Sequence, residues 1–395
     1  MIKLVSQRQI FLTQLAQTSP IPLALEIDYA EGCWLYDVND KKYLDLISGI
    51  SVSSIGHRHH AVVQAIKDQV DKYLHVMVYG EFIQSPQVSF AALLTSQLPD
   101  NLNCVYFTNS GTEATEGAMK LAKRVTGRHE IIGFSNSYHG STQGALSIAG
   151  GEWFKNSFRP LIPGNRQIRF NNFDDLELIT RRTAAVFMEP LQAEAGAVLP
   201  ENGFLAAVRK KCTETGALLV FDEIQTAFGR TGSLFYFQHE NVVPDILMLG
   251  KALGGGMPLG AFIADQKLMN AFTHDPVLGH ITTFGGHPVS CAAGKAAFEV
   301  LLHSEWVASV SEKEKLFRDN LKDPNIKAVH GKGLLLAIEV SGFDKVKSTI
   351  QKCIDEGLIT DWFLFNDKCI RVAPPIIISN EEIMIACEII KKSLA

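Results

Sequence analysis

The stretch Ile246–Leu247–Met248–Leu249–Gly250–Lys251–Ala252–Leu253–Gly254–Gly255–Gly256 decides how this chain is read. Four apolar residues have the character of a buried strand. One lysine and a glycine-rich turn follow. A lysine at the end of a buried strand costs free energy unless something uses it. Desolvation favours its neutral amine, a nucleophile suited to covalent chemistry with a carbonyl. The alternative is a strand-end lysine that reaches solvent, and this segment alone does not separate the two.

Around it, short apolar runs at 104–107, 131–134, 185–188, 218–221, 246–249 and 259–264 alternate with helical patterns such as Thr112–Val125 and Gly203–Thr215. Such alternation predicts an α/β fold with a mostly parallel sheet, whose ligands bind at the carboxyl ends of the strands. From about residue 295 the texture changes. A long helical stretch to Leu321, a strand at Leu334–Val340, a helix at Lys345–Glu356, a strand at Cys369–Ala373 and a helix at Glu381–Ser393 predict a smaller α+β domain. Near the start, Cys33–Tyr36 and Lys42–Leu46 read as a hairpin around Asn39–Asp40. The expected division is residues 1–50 as an N-terminal arm and part of the small domain, 51–294 as the large domain, and 295–395 as the C-terminal small domain.

Composition excludes several classes. With 46% apolar and 20% charged residues, the 395-residue chain matches an ordinary globular protein with room for two cores. A net charge of −5 without a basic block argues against a nucleic-acid surface. The seven cysteines are scattered and form no C-x-x-C pair, so neither a zinc cluster nor a disulfide framework is expected, and a reducing cytoplasm is. Met1–Pro20 lacks the apolar core of a signal peptide, and no run is long enough to span a membrane.

Four further turns carry chemistry. Between a strand and a helix, Phe107–Thr108–Asn109–Ser110–Gly111–Thr112–Glu113 offers the free amides and positive dipole of a helix start, which suit a phosphate; an ordinary Ser/Thr helix cap reads the same way. Leu218–Phe221 ends in two carboxylates, Asp222 and Glu223, followed by Ile224, Gln225 and a loop with Gly229 and Gly232. A buried aspartate there could hold a protonated ring nitrogen. Glu189 ends another strand, with Glu194 five residues on. Paired carboxylates also fit glycoside hydrolysis or a metal, but neither use explains a buried lysine. Tyr138–His139–Gly140 follows the strand at 131–134 and could stack on a planar group. A phosphate turn, a stacking aromatic, a strand-end aspartate and a strand-end lysine together describe a site for pyridoxal 5′-phosphate.

At these residues the chain resembles the class III (subgroup II) aminotransferases, fold-type-I pyridoxal-phosphate enzymes. The matching pieces are SGTEATE (110–116), YHG (138–140), EPLQAEAG (189–196), LLVFDEIQTAFGRTG (218–232), PDILMLGKALGGGMPLGA (244–261), TTFGGHP (282–288) and IRVAPP (370–375). The resemblance implies that Lys251 carries the cofactor covalently and then moves the proton, and that Asp222 pairs with the ring nitrogen. It implies that Ser110, Gly111 and Thr112 hold the phosphate, joined by Thr283 from a neighbouring subunit, so that the enzyme is a homodimer. Tyr138 would stack on the ring, with His139, Glu189, Ile224 and Gln225 around it. Arg371 would clamp the carboxylate of 2-oxoglutarate as a bidentate donor. Glu194 would cover Arg371 while the amine donor is bound. No metal is implied. The implied reaction moves the terminal amino group of an ornithine- or acetylornithine-like or diamine donor to 2-oxoglutarate, giving glutamate and an aldehyde. An aminomutase of the same fold, or a non-catalytic cofactor-binding protein, is the alternative.

Three departures bear on the donor and on the motifs. In ornithine and acetylornithine aminotransferases the residue after H-G is usually an arginine that binds the donor's α-carboxylate, and here it is Ser141. The N-terminal aromatic of ornithine aminotransferases falls at Thr18 or Ser19. HENVVPDILMLGKALGGGMPLGA (239–261) and HITTFGGHPVSCAA (280–293) are closer to putrescine aminotransferases. Finally, a G-H-x-H-P motif is present as Gly56–His57–Arg58–His59–His60, without its proline.

Overall fold

In the computed structural model, which describes residues 6–77 and 79–395, the Ile246–Leu249 strand lies inside a seven-stranded sheet with all four residues buried. In chain order the strands of the molecule are β1 (Ile27–Glu31), β2 (Trp34–Asp37), β3 (Lys42–Asp45), β4 (Cys104–Thr108), β5 (Glu130–Phe134), β6 (Asn165–Ile168), β7 (Thr183–Met188), β8 (Leu218–Asp222), β9 (Ile246–Leu249), β10 (Gly260–Ala264), β11 (Ala328–Lys332), β12 (Leu335–Glu339), β13 (Leu358–Ile359), β14 (Trp362–Phe363) and β15 (Asn366–Val372). The large sheet runs β4-β10-β9-β8-β7-β5-β6. β10 is antiparallel to both its neighbours, and every other pairing is parallel.

Helices on both faces explain why these strands read as unbroken apolar runs instead of alternating ones. Successive side chains point to opposite faces. Leu247 and Leu249, Leu219 and Phe221, and Val186 and Met188 enter one apolar layer. Ile246 and Met248, Val220, and Ala185 and Phe187 enter the other, against Ala114, Ala118 and Leu121 of the helix Gly111–Thr126. That helix starts at the Ser110 cap, whose side chain accepts from Glu113 N, and stops at Gly127 in the left-handed conformation.

Two smaller sheets complete the molecule. One runs β1-β2-β3-β13, with β13 parallel to β3, and the other is the antiparallel β11-β12-β15-β14. The hairpin expected near residue 40 is the β2–β3 part of the first, to which β1 adds an unforeseen third strand. The single helical stretch expected up to Leu321 is two helices, Pro288–Leu302 and Trp306–Asn320. Polar side chains end the first of them: His303 Nδ1 and Ser304 Oγ turn back onto the carbonyls of Glu299 and Leu301. His60, in place of the motif's proline, is the first residue of the helix His60–Val70, with His59 as its cap. That is the position where proline is favoured but not required.

Candidate active site

Every parallel strand from β4 to β9 except β6 delivers a loop to one cavity of about 280 Å3 at the carboxyl edge of the sheet. After β4 come Gly111 and Thr112, and after β5 come Tyr138, His139, Gly140 and Ser141. Glu189 follows β7, Asp222 ends β8 with Ile224, Gln225 and Thr226 beyond it, and Lys251 follows β9.

Lys251 is held in a left-handed backbone conformation, φ 49°. Such a position disfavours any residue with a Cβ, by about 1–2 kcal/mol. Part of its side chain borders the void of the cavity, but the surrounding protein strips water from the amine. This burial lowers its pKa to about 8, although Glu194 pulls the other way.

Asp222 is 4% exposed. One carboxylate oxygen meets His139 Nδ1 at 2.7 Å, and the other accepts from Ile224 N at 3.1 Å. His139 Nε2 is buried without a partner among the described residues. His139 therefore stands behind Asp222 and orients it. Glu189 accepts from Tyr138 N and Ala193 N, both at 2.9 Å, and so ties the loop after β5 to the loop after β7. Burial, followed by the nearby Asp222 charge, pushes the Glu189 carboxyl well above its ordinary range. Tyr138 Oη meets Ser141 Oγ at 3.0 Å. Gly140, part of the YHG motif but given no role of its own by the sequence, has φ 123°, and a Cβ there would collide with Thr112 Oγ1 and come within 2.9 Å of Thr112 Cα. Close approach of this loop to the helix start therefore requires glycine.

Glu194 and Arg371 lie beyond Gln225, outside the cavity wall. Arg371 Nη1 and Nη2 donate to the two Glu194 oxygens at 2.9 and 3.0 Å. Gln225 Nε2 donates to Glu194 at 2.8 Å and links this pair to the cavity. Burial alone would raise the Glu194 pKa, but the charge and hydrogen bonds of Arg371 outweigh it and bring it to about 2. The Arg371 pKa is raised in turn, its two carboxylate partners outweighing burial. The second partner, Asp361, was not foreseen. It bonds Arg371 Nε at 2.7 Å. No motif marks it, because its neighbour in space is ten residues away on the adjacent strand. Ser110 lies off the cavity wall as a helix cap, and Thr283 is exposed on the surface.

A second cavity of about 200 Å3 shares Tyr138 and Ser141 with the first. Its other walls include Leu146, Phe154, Phe158, Leu364 and Phe365. Among the described residues, Lys251 is the one lysine or arginine lining either cavity.

A family model, aminotransferase class-III, matches residues 15–394. The chain belongs to the class-III aminotransferase family. This aminotransferase is 39% identical over 358 residues to the acetylornithine aminotransferase of Methanopyrus kandleri, an alignment covering 89% of this chain and 90% of that one. The ornithine aminotransferase of Toxoplasma gondii ME49 superposes with a TM-score of 0.90 at 29% identity, covering 99% and 96% of the two chains. An (S)-enantioselective omega-transaminase from Thermomicrobium roseum gives a TM-score of 0.90 at 26% identity, covering 98% and 96%. Class-III aminotransferases use pyridoxal phosphate, and a further Toxoplasma gondii structure, 30% identical, carries it in its active site. The residues here fit that group. A helix start with free amides, an oriented buried carboxylate and a desolvated lysine face one cavity.

Proposed function

We propose that this aminotransferase moves the terminal amino group of a chain-end amine to 2-oxoglutarate, releasing glutamate and an aldehyde. The observation that carries the reading is the buried Glu194–Arg371 pair beside the Lys251 cavity. Two substrates of different charge must use one site in turn, and a cation covered by a displaceable carboxylate serves both. With Glu194 seated, the site is closed to a carboxylate and accepts an amine. With Glu194 displaced, the Arg371 fork accepts the planar carboxylate of the oxo acid in bidentate fashion.

Pyridoxal phosphate supplies a carbonyl that exchanges amines and a ring that stores the electron pair of a broken C–H bond. The chain does the rest. Lys251, its pKa lowered by burial, would hold the cofactor through its partly uncharged amine and would take and return the proton. Asp222, oriented by His139 and the Ile224 amide, keeps the ring nitrogen protonated. The amides of Gly111 and Thr112 would hold the phosphate, and Tyr138 and Gln225 would line the ring. Thr283 from a second copy would complete the phosphate site. Exposed Met77, Phe82, Ile83, Ile281 and Phe284 support such a homodimer. All seven cysteines are free, in keeping with a reducing cytoplasm, and no helix among the described residues could cross a membrane.

For the donor, two observations support a substrate not held by an α-carboxylate at the Ser141 position. Ser141 brings no charge, and the adjoining cavity has an apolar wall suited to a carbon chain. The class therefore extends from ornithine and acetylornithine to diamines such as putrescine. The test is a panel of amine donors with 2-oxoglutarate, read as glutamate formed. No glutamate from any chain-end amine overturns the reading.

A further inference from the structure

The five N–H groups of Arg371 are all engaged, and they divide into two sets. The outer fork, Nη1 and Nη2, points at Glu194. Nη1 also faces Gln225 Oε1 at 3.5 Å. Nε and the second N–H of Nη2 point the other way, to Asp361 at 2.7 Å and to the Trp362 carbonyl at 3.2 Å. The guanidinium also lies over the Phe363 ring, 4.4 Å from its centroid. Asp361 is itself fixed by backbone. Its carbonyl accepts from Arg371 N at 2.9 Å, Thr360 Oγ1 donates to Arg371 O at 2.6 Å, and Trp362 pairs with Ile370 across the β14–β15 ladder.

We propose that Asp361 is the positioning residue of the Arg371 clamp: it pins Nε so that the outer fork keeps its aim when Glu194 leaves. Glu194 is held by more than Arg371, so a carboxylate that has lost the guanidinium keeps donors nearby. Gln225 Nε2 and Leu364 N, at 2.8 and 3.1 Å, are donors to it that do not belong to Arg371. An arginine released by its only carboxylate would lose its orientation, since its side chain carries about 2 kcal/mol of rotamer entropy. With Asp361 in place, the incoming acid meets a fork already set for two parallel N–H···O bonds.

Charge does not explain this second carboxylate. Acceptor binding exchanges one carboxylate, Glu194, for another on the same cation. Asp361 repels both alike, so its charge largely cancels from the exchange while its geometry does not. An amide at 361 that still offers an oxygen to Nε should therefore serve nearly as well.

This inference rests on the reading of Arg371 as the acceptor's clamp, and the experiment separates the two. Asp361→Ala, Asp361→Asn and Arg371→Ala would be compared as holoenzymes, with the Kd of unreactive glutarate measured by calorimetry and KM and kcat measured for 2-oxoglutarate. Asp361→Ala is expected to raise both the glutarate Kd and the KM at least tenfold, with kcat and the single-turnover rate with donor alone within threefold of the parent. Asp361→Asn is expected to restore Kd and KM to within threefold. The proposal is overturned if Asp361→Ala binds glutarate like the parent, if it loses the donor half-reaction equally, or if Asp361→Asn is as impaired as Asp361→Ala. A normal KM and Kd in Arg371→Ala would instead overturn the clamp reading itself.

Discussion

Arg371→Ala removes the cation that two carboxylates share, and its consequences for stability and for chemistry can be told apart. Arg371 and Glu194 are 2% and 3% exposed, and their fork-to-fork contact is 2.9 and 3.0 Å. Removing one partner of a buried pair costs about 3–5 kcal/mol, because a charge is left without compensation. In the parent, the Glu194 pKa sits near 2, below its unfolded value. Its stabilisation is therefore present above pH ~4.5 and is lost as pH falls toward 2. In the variant the upward push of burial is opposed by the Lys251 charge and the hydrogen bonds of Gln225 and Leu364, without the larger pull of Arg371, and the folded-state pKa is expected to rise above the unfolded one. Protonation then favours the folded variant, so the stability gap should narrow between pH 7 and pH 5. Arg371→Ala/Glu194→Gln, with one of the two stranded charges gone and that of Asp361 left, should recover part of the loss at pH 7. Neither variant regains the clamp. Loss of a bidentate contact to the oxo acid is worth about 2–4 kcal/mol, or roughly 30- to 700-fold in kcat/KM for the half-reaction with 2-oxoglutarate. Urea unfolding at the two pH values and single-turnover stopped-flow measure the two effects. An unchanged second half-reaction, or a stability loss that the double variant does not reduce, refutes the reasoning.

Lys251 should hold the cofactor through a borohydride-reducible bond, so peptide mapping after reduction should find the label there; recovery on another lysine ends the assignment. Because burial brings its pKa to about 8 instead of 10.5, capture of pyridoxal phosphate by the apoprotein should accelerate through pH 8 and level off above about pH 9, whereas a continued rise to pH 10 would show an ordinary lysine. Gly140→Ala places a methyl group against Thr112 at a backbone angle that alanine disfavours, and cofactor affinity by equilibrium dialysis should fall at least tenfold with secondary structure retained. With Ser141 in place of a carboxylate-binding arginine, putrescine should compete with ornithine and acetylornithine as donor; a kcat/KM preference for acetylornithine above about 100-fold, roughly 2.7 kcal/mol, would mean that another cation does the work.

Local sequence carried the sheet and most of the cavity, because both obey short-range rules. Buried parallel strands must be apolar on both faces, and the residues that break each run, such as Asp222, Glu189 and Lys251, necessarily emerge at one edge. A reader who has the alternation of strands and helices therefore has the cavity's ingredients. Tertiary structure decided what each ingredient does. Glu189 spans two loops by bonding amides at 138 and 193, and His139 at the cavity wall holds Asp222 through Nδ1. Arg371 takes its second carboxylate from Asp361, which only the pairing of β14 with β15 brings alongside. The break at His303–Ser304 and the extra strand β1 were likewise hidden, since polar side chains returning to carbonyls and a strand seeking its partner leave no periodic trace. The sequence determined which chemical groups stand at the ends of strands, because burial dictates that pattern residue by residue. Which carboxylate faces which cation depends on strand register and loop path. Those are set by the whole packed molecule and are written in no single segment.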